Sequence, residues 1–385
     1  MVTRRIPVVV LAGFLGSGKT TLLNHLLRRS GGTRIGAVVN DFGSIEIDAM
    51  TVAGQVDSMV SLGDGCLCCA VDTEDLDGVL DVLARPSARM DVVVVEASGL
   101  AEPETVIRMI LASRNPHIVY GGLVEVVDAA EYPATRERHP ELDRHLRAAD
   151  LVVLNKTDRA DPGTLETLEA SLRELSPGGP VVRAAYGRVD PGLLFDRPER
   201  RRSAAEQLSF DALLRAGDEF AGDHAGHLHA AYQSVEFSTR EPVDPRRLLE
   251  FLDRRPQGVY RIKGFVDFGD ADPQRRYAVH AVGGFLRFAP VERAGLGPGG
   301  TELVLIGTGV DGPALREGLD ACRADPAAPA DPRAMWGVLR YVDDPAAKDA
   351  TGASETGEEP GDAWDDLDEA ELVLPEPSSA ARPMD

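Results

Sequence analysis

Gly13-Phe14-Leu15-Gly16-Ser17-Gly18-Lys19-Thr20 decides the fold. These eight residues satisfy G-x-x-x-x-G-K-[ST], the phosphate-binding loop, and stand in the context that pattern requires. The apolar run 6–12 before them reads as a strand. Residues 17–29 after them read as a helix with Leu22, Leu23, Leu26 and Leu27 on one face. Gly13, Gly16 and Gly18 let successive backbone N–H groups converge on phosphate oxygens, and the helix N-terminus adds a favourable field for an anion. Lys19 is expected to reach the β- and γ-phosphates, and the Thr20 hydroxyl to ligate Mg²⁺. Ser17 and Thr21 complete the expected phosphate-binding set.

Outward from this loop, strand-like runs alternate with helical patterns to about residue 196. Further strands are expected at 34–40, 91–96, 123–128, 151–155 and 180–184, with crossover helices at 73–84, 103–112 and 164–175. The strands are β-branched and almost continuously apolar, as parallel strands covered on both faces are. The fold class is therefore α/β: a doubly wound, mainly parallel P-loop domain over residues 1–200, with ligands beyond the C-terminal strand ends. A linker is expected at 201–228; His224, His227 and His229, around its junction with the second domain, form a sparse cluster that fits either metal recruitment or a polar linker. A smaller α+β domain is expected at 229–325, with strands at 231–238, 259–266, 277–282 and 302–307 and helices at 245–254 and 312–322. Residues 326–385 read as a disordered acidic tail in which Trp336 and Trp364 mark candidate docked segments.

Two further elements bear on the nucleotide. The run 91–96 ends in an acid and continues Glu96-Ala97-Ser98-Gly99, so Glu96 is the candidate for holding the Mg²⁺ shell and the Gly99 amide for sensing the γ-phosphate. Asp128, at the end of another apolar run, is the alternative acid. Asn155-Lys156-Thr157-Asp158 supplies base identity. Asp158 can accept from N1–H and the 2-amino group of guanine, a donor pair that adenine lacks, while Lys156 packs its stem on the base plane. The expected nucleotide is GTP.

Gly65-Cys66-Leu67-Cys68-Cys69 introduces a different chemistry. Cys66 and Cys68 point the same way in extended backbone, and Cys69 joins them if the chain turns. Three thiolates select Zn²⁺ or another thiophilic ion, with Co²⁺ also fitting, and leave a fourth tetrahedral position open for hand-over. A redox pair or a structural site is the plainer alternative. Between the two sites lies Asn40-Asp41-Phe42-Gly43-Ser44-Ile45-Glu46-Ile47-Asp48, where a nucleotide-responsive segment is expected. Asp41 and Glu46 are candidates there for contact with Mg²⁺ water or the thiol-bound metal; a solvated acidic loop is the plain reading. If the segment reorders with the γ-phosphate, it links nucleotide state to metal affinity. Cys322, alone on a helix, reads as a small buried apolar residue.

Composition narrows the partners. The net charge of the 385-residue chain is −22, and fourteen acids against Lys348 and Arg382 lie between Tyr341 and Asp385. Such a balance does not suit nucleic acid, whose phosphates require a basic surface. No apolar run approaches the roughly 20 residues of a membrane helix. Met1-Val2-Thr3-Arg4-Arg5 shows no cleavage pattern before the first strand, so the expected location is cytoplasmic.

Taken together, the phosphate loop, Asn40-Asp41-Phe42-Gly43, Cys66-Leu67-Cys68-Cys69, Glu96-Ala97-Ser98-Gly99-Leu100-Ala101-Glu102-Pro103 and Asn155-Lys156-Thr157-Asp158 resemble the CobW family of P-loop GTPases. These are relatives of HypB and UreG often described as zinc chaperones. The resemblance continues through Arg261-Ile262-Lys263-Gly264 and Leu303-Val304-Leu305-Ile306-Gly307, covering roughly residues 5–325. It implies GTP hydrolysis coupled to delivery of Zn²⁺, or Co²⁺ in cobalamin-related members, to an apo-metalloprotein client, and a GTP-dependent homodimer. Lys19, Asp41 and Glu96 are the expected catalytic set; Cys66, Cys68 and Cys69, with Thr20 and Glu46, are the expected metal ligands. Three departures stand out: Asp41 occupies a position where the family usually has Glu, Ala97 replaces a usual Thr, and the histidine-rich loop is reduced to three histidines. Two rival readings are a regulatory switch with a structural zinc and a small-molecule kinase. Metal affinity that differs between GTP and GDP states separates the first from a chaperone, and phosphoryl transfer to an added acceptor identifies the second.

Overall fold

The computed structural model describes residues 5–39, 58–61, 73–99, 101–177, 179–196, 232–254, 258–293, 300–325, 331 and 333–342. Seven strands form one all-parallel sheet: β1 (Ile6–Ala12), β2 (Ile35–Val39), β3 (Ser58–Ser61), β4 (Val92–Glu96), β5 (Ile118–Asp128), β6 (Leu151–Asn155) and β7 (Val181–Arg183), in spatial order β3-β2-β4-β1-β5-β6-β7. The helices joining them are α1 (Lys19–Arg28), α2 (Thr73–Leu83), α3 (Pro103–Ala112), α4 (Tyr132–Arg138), α5 (Leu142–Ala148), α6 (Pro162–Leu175) and the short α7 (Pro191–Leu194). Both faces of the sheet are buried, which is why its strands read as unbroken apolar runs. In β4, Val93 and Val95 join the core with Leu80 of α2, Val106 of α3 and Leu172 of α6. Val92 and Val94 join the opposite core with Leu22, Leu23 and Leu26 of α1.

The second sheet is antiparallel, in the order β11-β10-β9-β12-β8, and comprises β8 (Gln233–Thr239), β9 (Val259–Val266), β10 (Arg275–Val282), β11 (Phe285–Glu292) and β12 (Thr301–Gly307). One face is covered by α8 (Pro245–Asp253), α9 (Gly312–Asp320) and α10 (Trp336–Leu339). Cys322 is buried in this core, as expected, and burial pushes its thiol up to about 11. The strand period of two turns neighbouring residues the other way. Val259, Ala281 and Leu305 belong to the helix-covered core, whereas Tyr260, Val282 and Ile306 enter the core of the parallel domain on the α1 side.

Several expectations differ in their bounds, for local reasons. The helix after the phosphate loop begins at Lys19, not at 17, because Gly18 is left-handed (φ 103°) and acts as its N-cap. Helix α6 starts two residues earlier than expected, because Asp161 accepts from Thr164 N–H and Pro162 occupies the first turn, where its missing N–H costs nothing. Strand β5 starts at Ile118 rather than 123. Gly121 and Gly122 hide its first half from a pattern search; they form a bulge, seen as the register shift between Val8 and Val10. A side chain at Gly121 would meet the Val8 backbone, and one at Gly122 (φ 108°) would meet Val282 and the Tyr260 ring. Strands β3 and β11 and helices α4 and α5 were not anticipated. The stretch expected to be disordered from 326 contains α10, whose Val338 and the preceding Met335 are buried while Trp336 stays exposed. Trp364 lies outside the described residues. No helix among the described residues is long and apolar enough to cross a membrane.

A buried carboxylate, Asp150, bonds to both domains. Asp150 Oδ2 accepts from the Tyr120 hydroxyl (2.6 Å) and Leu123 N–H (2.9 Å), and Oδ1 accepts from Gly284 N–H (3.3 Å) in the β10–β11 turn. Gly283 (φ 49°) leaves the space that Asp150 fills. Replacing Asp150 by Ala strands buried donors at the domain contact, and the expected destabilisation is about 2–3 kcal/mol, with Asp150→Asn recovering part of it. Urea midpoints of the two variants, compared at constant m-value, check this.

Candidate nucleotide site

The phosphate loop is held open by its glycines. Gly13 (φ 142°) packs so closely that a Cβ would lie 2.3 Å from the Val126 carbonyl, and a Cβ on Gly18 would lie 2.4 Å from Asn155 Nδ2. Lys19 is buried, and its ammonium donates to the carbonyls of Gly13 (2.9 Å) and Phe14 (3.4 Å) at the mouth of the loop. One residue on, the Thr20 hydroxyl donates to Glu96 Oε1 at 2.7 Å. The register of the sheet creates this pair, since Leu11 of β1 lies opposite Glu96 of β4. Thr20 and Glu96 thus form a hard-oxygen pair of the kind that Mg²⁺ prefers. Gly99 abuts the backbone of Leu15, so the strand end and the phosphate loop touch directly. Thr21 is exposed in the first turn of α1, where Gly187 packs on it.

Asn155 ties these parts to the expected base-recognition segment. It is 1 % exposed. Its Nδ2 donates to the Ser17 carbonyl (2.9 Å), and its Oδ1 accepts from Gly187 N–H (2.9 Å). Lys156 is left-handed (φ 59°), and its ammonium donates to the Gly16 carbonyl and to Asp128 Oδ2, both at 2.7 Å. Its stem is thereby laid along the phosphate loop. Asp158 lies exposed in the following turn of 3₁₀ helix (Thr157–Arg159). Asp128, the alternative to Glu96, sits against Lys156 and accepts from the amides of Ala130 and Glu131, while Glu96 sits against Thr20.

Asp41, Glu46, Cys66, Cys68 and Cys69 lie outside the described residues, as do His224, His227 and His229. Among the described residues, no group of three His, Cys, Asp or Glu is placed to hold a metal ion.

Residues 7–183 match the CobW/HypB/UreG nucleotide-binding domain, and residues 232–323 match the C-terminal domain of the cobalamin synthesis protein cobW. The chain belongs to the CobW family of P-loop GTPases. Among curated relatives, the zinc chaperone CobW of Sinorhizobium is 29 % identical over 79 % of this chain and 93 % of its own length. The zinc chaperone YjiA of Escherichia coli is 31 % identical over 50 % of this chain and 61 % of its own. Zinc-regulated GTPase metalloprotein activator 1 of Dictyostelium discoideum is 26 % identical over 68 % and 62 % respectively.

One buried residue beside the phosphate loop of this GTPase belongs to none of the motifs. Glu125 interrupts the run Leu123-Val124-Glu125-Val126-Val127, and an acid inside such a run was the signal available. It is 3 % exposed and stands opposite Ala12, at the entrance to the phosphate loop. It lines a cavity of about 210 Å³ with Phe14, Tyr132, Leu142 and Lys156. Burial pushes its carboxyl up to about 8, against the opposing pull of Lys19. The sign follows from linkage. Between the ordinary carboxyl range and pH 8 the folded protein holds a proton that the unfolded chain has lost, so stability falls as pH rises through that window and levels off above it. Glu125→Gln is expected to flatten this dependence, matching wild type near pH 5 and exceeding it by a few kcal/mol above pH 8. Urea unfolding from pH 5 to 9 measures the difference.

Proposed function

We propose that the chain is a GTP-hydrolysing metallochaperone that carries zinc on Cys66, Cys68 and Cys69 and passes it to an apo-metalloprotein in a nucleotide-dependent way. The observation that carries this reading is the Cys66-Leu67-Cys68-Cys69 motif lying within the same family domain as the Thr20–Glu96 and Asn155 arrangement. The relatives' names, zinc chaperone and zinc-regulated GTPase metalloprotein activator, support zinc as the cargo. Co²⁺ is the competing cargo by ligand chemistry.

The chemistry follows from the residues. The phosphates of GTP replace the Gly13 and Phe14 carbonyls as acceptors for the Lys19 ammonium, and the backbone amides of Gly16, Ser17, Gly18, Lys19 and Thr20, with Thr21, surround them. Thr20 and Glu96 fit Mg²⁺ as hydroxyl ligand and as acceptor from its water shell. When bound, the ion supplies neutralisation of charge on the β- and γ-oxygens. The Gly99 amide, in the segment packed against Leu15, is the candidate sensor of the γ-phosphate. Asp158 accepts from the guanine N1–H and 2-amino groups, and Asn155 keeps the base-reading and phosphate-binding segments in mutual register. Asp41 is the candidate for orienting the attacking water. Glu46 is the candidate that extends the same segment towards the thiols. A cytoplasmic location and a GTP-dependent homodimer complete the reading.

Competitive zinc titration of the full chain with a GTP analogue, with GDP and without nucleotide tests it. The expected coupling is about 5- to 150-fold in zinc affinity between nucleotide states. Equal affinities would leave a GTPase switch with a structural zinc. Lys19→Ala is expected to abolish tight nucleotide binding and keep zinc stoichiometry. Joint replacement of Cys66, Cys68 and Cys69 by Ser is expected to do the reverse, with metal analysis and nucleotide binding measured on the same preparations. Asp158→Asn is expected to weaken the preference for guanine over adenine nucleotides in competition binding.

A further inference from the structure

Three non-glycine residues among those described are left-handed: Arg89, Lys156 and Tyr186. Two of the three lie in the loops that Asn155 ties together. Strain of this kind gathers where a side chain is held for use rather than for packing. Lys156 already has a role, so Tyr186 is the one to explain.

Arg188 N–H donates to the Ala185 carbonyl (3.1 Å) and closes a turn whose central residues, Tyr186 (φ 56°) and Gly187 (φ 65°), are both left-handed. Such turns ordinarily take Asn-Gly at the centre. A tyrosine there is unfavourable for the backbone, and its ring is not recovered by the core, since the residue is 63 % exposed. The turn itself is firmly seated. Gly187 donates to Asn155 and packs so tightly that a Cβ would lie 2.7 Å from Leu22 N. The Ala184 carbonyl accepts from both the amide (3.1 Å) and the hydroxyl (3.0 Å) of Thr157. Tyr186 is therefore flanked by ties to Asn155 on one side and Thr157 on the other. It stands beside the segment that carries Lys156 and Asp158. The Arg188 guanidinium lies 5.7 Å from the ring centroid and holds one face of the ring.

We infer that Tyr186 is a base-stacking residue, forming the wall of the guanine slot that faces the stem of Lys156. The inference rests on the assignment of the base to Asn155 through Asp158. A purine face laid on an exposed aromatic ring gains stacking energy. Arg188 lies over the ring within cation–π range, leaving the opposite face for the purine. The ring thus adds grip on the purine, while Asp158 chooses which purine is held.

The test uses the full chain with Mg²⁺ and three variants, Tyr186→Phe, Tyr186→Gly and Asp158→Asn, with GDP and inorganic triphosphate as probes in competition against a fluorescent nucleotide. Glycine suits the left-handed position, so Tyr186→Gly is expected to melt at or above the wild-type temperature. Its GDP affinity is expected to fall about 5- to 100-fold, with triphosphate affinity unchanged, whereas Tyr186→Phe stays within about twofold. The ultraviolet difference signal of the bound purine is expected to shrink in Tyr186→Gly alone. If Tyr186→Gly binds GDP like wild type while Asp158→Asn is weakened, the ring does not touch the base and the inference fails with the base site intact. If neither variant is affected, the base assignment fails and the inference with it. Equal losses for GDP and triphosphate would show that the turn acts through the phosphate loop, which also overturns the stacking role.

Discussion

The carboxamide of Asn155 is the joint on which the nucleotide cradle depends. It sits at the C-terminal end of β6, and its two polar atoms reach the phosphate loop at Ser17 and the turn after β7 at Gly187. No aliphatic residue can replace it, because both tied groups would lose a partner in a buried place. A carboxylate would keep the acceptor and lose the donor. The surrounding glycines are consequences of this joint. Gly18 has no Cβ because Asn155 Nδ2 occupies that space, and Gly187 has none because the start of α1 does. Three segments far apart in sequence are thereby held in one arrangement by bonds within the protein, and preorganisation of this kind lets binding energy go into recognition instead of ordering.

Around the same loop, two equally buried acids differ in their partners. Strand β1 is flanked at its C-terminal end by an acid from each neighbour, Glu96 from β4 opposite Leu11 and Glu125 from β5 opposite Ala12. Glu96 takes the Thr20 hydroxyl. Glu125 is buried beside a cavity of mixed lining, and burial pushes its carboxyl up to about 8. A second ionised carboxylate beside Lys19 would oppose a polyanionic ligand at short range. A proton on Glu125 removes one negative charge from beside the Lys19 ammonium.

Much of this was legible in the chain itself. The phosphate loop, the acid strand and Asn155-Lys156-Thr157-Asp158 are local motifs whose spacing has a mechanical meaning, and the continuous valine runs announced a sheet buried on both faces. What could not be read were features that depend on distant partners. The first half of β5 was hidden because Gly121 and Gly122 lower its apolar score, and only the press of Val282 and Tyr260 from the second sheet explains them. Helices α4 and α5 are seven residues each and rich in charge, so their periodicity is too short to register. Asn155 was legible as part of a motif, but its function as a tether was not, since Ser17 and Gly187 lie far from it along the chain. Tyr186 carries no motif at all; its left-handed backbone is visible only in three dimensions.

Strand β5 runs between the two sets of contacts. Its eleven residues span about 36 Å at strand rise. Its first half carries Tyr120 and the bulge, against which Asp150, Tyr260 and Val282 pack; its last residues, Glu125 and Asp128, face the phosphate loop and Lys156. Separating the sheets would expose Tyr260, Val282 and Ile306 and strip the Asp150 acceptor from Gly284 N–H, at roughly 1.5–3 kcal/mol for each apolar side chain. That cost is of the order of a whole domain's net stability. A nucleotide can shift an equilibrium only by its differential affinity for the two states, typically 1–3 kcal/mol. Rigid-body parting of the sheets is therefore out of its reach. A nucleotide-driven rearrangement would thus leave the contact between the sheets intact.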